Sequence, residues 1–195
     1  MQYSDQKKGM LLAFTAIAFI TPDSLFIRLA SLESWNLIFY RGFIPFIVVL
    51  VGLLIIYKNK LVAEIINNGW HGLAYAGTFT ITNIIFVISI ENTNVANTLI
   101  MICLAPMLSA IISLIFLKEN PDQKTWVAII ITTLAVVFIF YNALDVGDFL
   151  GNFLGLVCAT GLAVGAVIIR SAKKISLVPS AMMGKLMVAL IALLF

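Results

Sequence analysis

The sequence predicts an all-α integral membrane protein, a polytopic helical bundle. Hydrophobic residues make up 62% of the 195 residues and charged residues only 11%, whereas soluble domains average roughly 45–50% and 25%. A soluble core of this size could not bury so much apolar surface. The apolar residues also form seven long runs, and the charged residues between the runs are sorted by sign.

Each apolar run is long enough to cross a bilayer as a helix, because a hydrocarbon core of about 30 Å needs around 20 residues. A membrane β-barrel would instead need alternating strands of about 10 residues, and runs such as 46–56 do not alternate. The predicted transmembrane helices are Met10–Ala30, Asn36–Tyr57, Gly69–Ile90, Asn94–Leu117, Thr125–Tyr141, Phe149–Ile169 and Val178–Phe195.

The loop charges predict the orientation of these helices. One side of the predicted membrane carries Lys7, Lys8, Lys58, Lys60, Lys118, Lys124, Arg170, Lys173 and Lys174. The other side carries Glu33, Glu91, Asp145 and Asp148, with Arg28 as its one base. Because basic loops stay on the cytoplasmic side, we expect a multi-pass protein of the bacterial cytoplasmic (inner) membrane with a cytoplasmic N-terminus.

A cleaved signal peptide is the alternative interpretation of the first run, because Lys7-Lys8 precedes it. The run continues through Pro22 and Asp23 to Ala30, and six more runs follow. These features favour a retained helix.

A short internal similarity suggests a repeat. The first predicted helix ends in Leu25-Phe26-Ile27-Arg28 and the sixth in Val167-Ile168-Ile169-Arg170. Five helices separate the two copies, and an odd number turns the second copy upside down in the membrane. Inverted repeats are common in transporters, although chance matches are also common among apolar segments.

The chain resembles the EamA-type members of the drug/metabolite transporter superfamily. The residues that carry the resemblance are Trp35–Gly42, Asn94–Thr98, Pro106, Ser109, Phe116–Glu119 and Trp126. The resemblance covers residues 9 to about 142 and implies ten helices in two inverted five-helix repeats. We therefore expect a complete first repeat over residues 1–142 and the start of a second over 143–195. We interpret the chain as truncated; the alternative is a shortened protein that completes itself by association, for example as a homodimer.

The predicted helices contain charged residues away from their ends at Asp23, Arg41 and Lys185, where a charge costs about 2.5 kcal/mol or more. Asp23 follows the helix-breaking Pro22 and is a candidate substrate or proton site, or else a structural partner for a nearby base. Arg41 could pair with a substrate carboxylate or with Asp23. Lys185 mirrors Arg41 from the other side. For both bases, snorkelling to the head groups is the alternative.

Two asparagines and three prolines complete the candidate site. Asn83 and Asn97 could line a polar route, or could bond neighbouring helices. The hinge candidates are Pro22, Pro45 and Pro106, because each removes a backbone N–H from its helix.

These features predict a secondary transporter, in particular an exporter, of small organic metabolites that works by alternating access. A membrane-embedded enzyme and a non-transporting assembly subunit are the alternatives. We expect no enzymatic activity, because no clustered nucleophiles or bases occur at membrane depth. We also expect no cofactor, no metal site and no nucleic-acid partner; the partners are the metabolite and the lipid bilayer.

Overall fold

The computed structural model describes residues 2–20, 22–30, 32–140, 149–172 and 175–195. Within these ranges the chain forms helices and short connections without a β-strand, so the all-α prediction is confirmed. Several residues used to predict the orientation lie outside the described residues: Asp145, Asp148, Lys173 and Lys174. The end of the fifth predicted helix at Tyr141 and the side chain of Arg28 also lie outside them.

Ten α-helices follow one another along the described chain. They are α1 (Gln2–Ile20), α2 (Asp23–Leu29), α3 (Ser34–Tyr57), α4 (Leu61–Asn67), α5 (Gly69–Asn92), α6 (Val95–Ile102), α7 (Ala105–Phe116), α8 (Gln123–Phe140), α9 (Phe149–Ser171) and α10 (Val178–Ala192). A single 3₁₀ turn, Lys58–Lys60, joins α3 to α4.

Four helical stretches of the described residues are long and apolar enough to cross a membrane. They are Ser34–Asn67, Gly69–Asn92, Val95–Phe116 and Phe149–Ser171, and Val178–Ala192 is a shorter apolar helix. These five stretches coincide with five of the predicted spans. The other two predicted spans, Met10–Ala30 and Thr125–Tyr141, are helical over α1, α2 and α8, and each includes residues outside the described ranges.

The chain divides into two compact units, Met1–Glu33 and Ser34–Phe195. The first unit holds α1 and α2, and the chain breaks between them at Pro22, as predicted. The carbonyl of Pro22 accepts a hydrogen bond of 3.0 Å from the N–H of Phe26, which opens α2.

The second unit is built around α5. One side of α5 packs against α9 and another against α10, while α10 also packs along α3. Helices α6 and α7 pack on α9, and α8 contacts α6 and α7. Helix α5 is therefore central to this unit, because it contacts both α9 and α10, and these two helices contact α3, α6 and α7.

Small residues allow the closest of these approaches, as packing in lipid requires. A Cβ added at Gly151 of α9 would lie 2.6 Å from the carbonyl oxygen of Asn92, and one at Gly155 would lie 3.1 Å from Cβ of Met101. Ala159 and Ala163 continue this ridge and are buried. The small residues of α9 therefore allow it to approach α5 and α6 closely.

The two ends of the second unit carry different contacts. At one end, Arg170 Nε lies 2.6 Å from Glu119 Oε2. At the opposite end, the hydroxyl of Ser34 donates to Glu91 Oε2 over 2.5 Å, and the rings of Trp35 and Phe195 stack with their centroids 4.4 Å apart. The contact of Ser34 with Glu91 joins the start of α3 to the end of α5.

The segment Lys60–Asn68 is largely the helix α4, and Leu61 is buried in a cluster with Leu53 and Met182. The fully buried Asn68 at its end donates to the carbonyl of Ser176 over 3.0 Å and to the hydroxyl of Ser180 over 2.9 Å. These contacts with α10 and its leading loop fix the segment as a helix.

The prolines inside the second unit have different effects. Pro45 lies within the continuous helix α3. Pro106 stands in the first turn of α7, directly after a break that separates α6 from α7. At this break the N–H of Leu104 bonds to the carbonyl of Met101 instead of continuing the α-helical pattern. The predicted interruption of the fourth span at Pro106 is therefore present.

The approach of α3 to α10 can be tested with two glycines of α3. A Cβ at Gly42 would lie 2.7 Å from the backbone nitrogen of Ala189 and 2.9 Å from the carbonyl oxygen of Lys185. We expect Gly42→Ala to destabilise the protein by about 1–3 kcal/mol, because the two backbones must separate.

The matched control is Gly52→Ala on the same helix, since nothing lies within 4 Å of a Cβ there. Alanine should stabilise that position by roughly 0.5–1 kcal/mol through its helix propensity. Thermal unfolding of both purified variants in one detergent provides the measurement. Equal midpoints for the two variants would contradict the close approach of α3 to α10.

Candidate functional site

One face of α5 carries an amide between two aromatic rings. Phe79, Asn83 and Phe86 follow one another at spacings of four and three residues, which place side chains on the same side of a helix. All three residues are half-buried. This stripe receives both basic side chains that the sequence placed inside the spans of the second unit.

Lys185 reaches the stripe from α10. Its ammonium group donates a hydrogen bond of 2.6 Å to Asn83 Oδ1. The same nitrogen lies 5.2 Å from the ring centroid of Phe79, within the range of a cation–π contact. The structure therefore brings two of the predicted site residues, Asn83 and Lys185, into direct contact.

Arg41 reaches the stripe from α3. Its guanidinium carbon lies 5.3 Å from the ring centroid of Phe86. A cation–π contact of this kind stabilises by about 0.5–1 kcal/mol when exposed and by about 2 kcal/mol when desolvated. Arg41 is half-buried, so this contact holds the guanidinium group against α5.

Backbone contacts set the register in which these side chains meet. The hydroxyl of Thr80 bonds to the carbonyl of Ala76 over 2.7 Å and lies 3.1 Å from the carbonyl of Gly184 on α10. A Cβ at Gly184 would lie 3.0 Å from the carbonyl oxygen of Ala76. Gly184 directly precedes Lys185, so the contact of Gly184 with α5 determines the position of the Lys185 backbone.

A second backbone contact lies on the other side of α10. Gly42 follows Arg41 on α3 and faces the carbonyl of Lys185. The backbones of Arg41 and Lys185 therefore lie where the three helices α3, α5 and α10 meet. We call the set Arg41, Phe79, Asn83, Phe86 and Lys185 the cationic junction.

The cationic junction lies well inside the helices that form it. Arg41 stands seven residues after the start of α3, and Lys185 seven residues after the start of α10. At about 1.5 Å per residue, each backbone position is roughly 10 Å from its helix end. The ammonium of Lys185 lies against Asn83 and Phe79, which are contacts with a neighbouring helix.

Asn97 belongs to a different polar network. Its side-chain amide donates to Thr93 Oγ1 over 3.1 Å, and Thr93 Oγ1 donates to Asn152 Oδ1 over 3.3 Å. Nearby, the Ser89 and Thr98 hydroxyls lie 2.8 Å apart. Asn97 is fully buried, and this network joins the ends of α5 and α9 to α6. Of its two predicted roles, the contacts match that of bonding neighbouring helices.

Asp23 belongs to the first unit, and the four other candidates belong to the second. It is the first residue of α2, a position where a carboxylate is stabilised by the positive end of the helix dipole. The pairing of Asp23 with Arg41 remains a prediction.

The rings of Phe79 and Phe86 were not among the predicted site residues. The sequence contains 14 phenylalanines, and a phenylalanine in an apolar helix gives little indication of its partner. A signal was nevertheless present, because the two rings flank Asn83 at helical spacing. A carbonyl oxygen between two aromatic rings on one helix face offers a cation both a hydrogen-bond acceptor and ring faces.

The described residues contain no group of three or more His, Cys, Asp or Glu side chains that could hold a metal ion. Cys103 and Cys158 are free thiols.

Comparison with known proteins gives one result for most of the chain. A family model described as the EamA-like transporter family matches residues 7–141, more than half of the sequence. Neither a curated protein nor a solved structure matches significantly. The matched range includes Arg41 and Asn83, and Lys185 follows it.

Proposed function

We propose, from the premise that this chain belongs to the EamA-like transporter family, that it carries a small organic metabolite across the membrane as a secondary transporter. Membership makes the chain a multi-pass membrane transporter of the drug/metabolite type and gives no support to a membrane-embedded enzyme. The metabolite, its export from the cell and the transport mechanism are the proposed parts.

The observation that carries the proposal is the cationic junction. It places two bases and an amide among half-buried residues of α3, α5 and α10, away from the helix ends. Ionisable groups at such depth are rare and are typical of substrate or ion pathways. Arg41, Asn83 and Lys185 are therefore the proposed substrate contacts.

The proposed mechanism is alternating access between two inverted repeats, residues 1–142 and 143–195. Lys185 comes from the second region, while Arg41 and Asn83 come from the first. A site formed between two repeats changes its exposure when one repeat rocks against the other. The breaks at Pro22 and Pro106, and the proline within α3, are the proposed hinge points.

We propose that the N-terminus and the loops at Lys58–Lys60 and Lys118–Lys124 face the cytoplasm of a bacterial cell. Excess lysine is retained on that side. We expect cytoplasmic reporters to be active when fused after Lys60 or Lys124, and a periplasmic reporter to be active when fused after Glu91. Activity of a periplasmic reporter at Lys60 or Lys124 would refute this orientation.

Transport through the cationic junction predicts that Lys185→Gln lowers solute counterflow. Loss of a charged contact weakens binding by about 1.5–3 kcal/mol, which corresponds to roughly tenfold or more in affinity. The measurement is counterflow in proteoliposomes across a panel of small organic metabolites, with equal amounts of folded protein.

Lys60→Gln removes one positive charge from an exposed position at the end of the 3₁₀ turn and serves as the matched control. Counterflow should be unchanged in this control. Equal counterflow by Lys185→Gln and the wild type would exclude Lys185 from the transport route.

Proton coupling through Asp23 is the proposed driving reaction, because a carboxylate at a helix break can exchange a proton during transport. We expect Asp23→Asn to abolish the dependence of net uptake on a pH gradient while counterflow without a gradient continues. Unchanged pH dependence in proteoliposomes would remove Asp23 from the coupling role.

A further inference from the structure

We infer that α4 is a membrane-surface helix and that it binds anionic phospholipid together with the 3₁₀ turn before it. The contacting residues are Lys58, Lys60, Val62, Ile66 and Trp70, which we call the α4 surface. The inference concerns a lipid site and does not depend on the proposed transport function. It follows from the place of α4 along the chain, the three sides of the helix and the charge at its start.

The place of α4 along the chain puts it at the edge of the membrane. It lies between α3 and α5, which have 24 residues each. At about 1.5 Å per residue, each of these two helices is roughly 36 Å long, which exceeds the ~30 Å of a hydrocarbon core. Both spans are long enough without α4, so α4 lies at the level of the lipid head groups.

The first side of α4 faces the protein. Leu61 is buried against Leu53 of α3 and Met182 of α10, and Ile65 packs on the same cluster. Asn68, directly after α4, is fully buried and bonds to the start of α10. Positions 61, 65 and 68 follow one another at spacings of four and three residues, which place them on one side of a helix. These contacts fix the rotation of α4 about its own axis.

The second side of α4 is apolar and exposed. Val62 and Ile66 are four residues apart and therefore share one side of the helix, with exposed fractions of 66% and 72%. Trp70, in the first turn of α5, is 76% exposed. A membrane-surface helix buries such side chains at the boundary between head groups and acyl chains, and tryptophan prefers this depth. The second side of α4 is therefore suited to contact with the bilayer.

The third side of α4 is more polar. Asn67 follows Ile66 directly, so its side chain lies about 100° further around the helix, and it is exposed. Ala63 and the half-buried Glu64 precede Asn67 by four and three residues and share its side. When the second side contacts acyl chains, this third side can face water, as a membrane-surface helix requires.

The start of α4 carries the charge that selects the lipid. Lys58 and Lys60 are exposed at the two ends of the 3₁₀ turn. Lys58 has a φ of 48°, in the left-handed region, which ends α3 and redirects the chain into the turn. These two lysines outnumber Glu64, the acidic residue of α4. Basic residues beside a membrane-embedded segment attract anionic lipid head groups, and the long lysine side chains can extend to them.

Lipid binding is measured with Trp70 as the sole tryptophan, in the full chain carrying Trp35→Phe and Trp126→Phe. Nanodiscs of phosphatidylcholine receive a minor fraction of phosphatidylglycerol or phosphatidylcholine brominated close to the glycerol ester, because bromine quenches tryptophan fluorescence on contact. We expect phosphatidylglycerol to be enriched at Trp70 about fivefold or more over phosphatidylcholine, which is the effect of one lysine near an anionic surface. Added salt should reduce the enrichment.

Variants then assign the enrichment to the α4 surface. Lys58→Gln combined with Lys60→Gln should abolish it, and Lys58→Arg combined with Lys60→Arg should retain it because the charge remains. The matched control, Lys118→Gln combined with Lys124→Gln, removes two exposed lysines between α7 and α8 and should leave the enrichment unchanged. Equal quenching by the two brominated lipids in the parent chain would overturn the inference. An equal loss of enrichment in the two Gln variants would also overturn it, because the attraction would then be general to the lysine loops.

Contact of the second side with the bilayer is measured separately with a spin label at Ile66→Cys and, as the matched control, at Asn67→Cys. Both variants carry Cys103→Ala and Cys158→Ala. We expect the label at position 66 to collide more with oxygen, which concentrates in lipid, than with a water-soluble nickel chelate, and the label at position 67 to show the reverse preference.

Two results at position 66 would contradict the membrane-surface orientation. One is a preference for the nickel chelate, which would show that the second side of α4 faces water. The other is shielding from both reagents together with magnetic broadening between labels, which would show that a second copy of the chain covers this side in place of lipid.

Discussion

The close approach of α10 to α3 and α5 is the constraint on which the candidate site depends. On one side, Gly184 lies against the backbone of α5 and its carbonyl lies 3.1 Å from the Thr80 hydroxyl. On the other, Gly42 leaves room for the carbonyl of Lys185. Hydrophobic burial cannot select this register in lipid, where the surroundings are equally apolar. Steric fit at two glycines and one hydroxyl contact select it instead.

This register decides which side chains meet. Gly184 and Lys185 are adjacent on α10, and Thr80 and Asn83 are three residues apart on α5. Fixing the Thr80–Gly184 contact therefore brings the lysine to Asn83. A shift of α10 by one residue would turn its side chains by about 100° and remove Lys185 from the amide and the ring. The position of Lys185 beside Asn83 and Phe79 is thus a consequence of backbone packing.

Much of the fold was predictable from the sequence, because lipid imposes strong rules on composition. Apolar runs of sufficient length predicted the helical class, and proline predicted the breaks before α2 and α7. The helix α4 lies between the predicted spans, and its Leu61 packs against Met182, a residue so distant in sequence that no local pattern shows the contact. The link between Ser34 and Glu91 was missed for the same reason: it joins residues 57 positions apart.

The site was predictable only in part. Arg41, Asn83 and Lys185 were chosen as candidates because a polar residue in an apolar helix requires a physical reason. Asn97 met the same criterion, and its amide donates a hydrogen bond to Thr93 at the end of α5. A sequence pattern identifies polar residues inside a membrane but does not distinguish a bond between helices from a ligand contact. Phe79 and Phe86 were missed because their importance comes from the cations that other helices place on them.

The two sides of α5 make contacts of different chemical character. Toward α9, small residues and the Ser89 hydroxyl, which donates to the carbonyl of Gly151 over 2.8 Å, form a close and largely apolar seam. Toward α10, the same helix presents Thr80 and Asn83 to a glycine and a lysine. The contacts of α5 with α9 join neutral groups and do not involve Lys185. The packing of α5 against α9 therefore does not depend on the charge of Lys185.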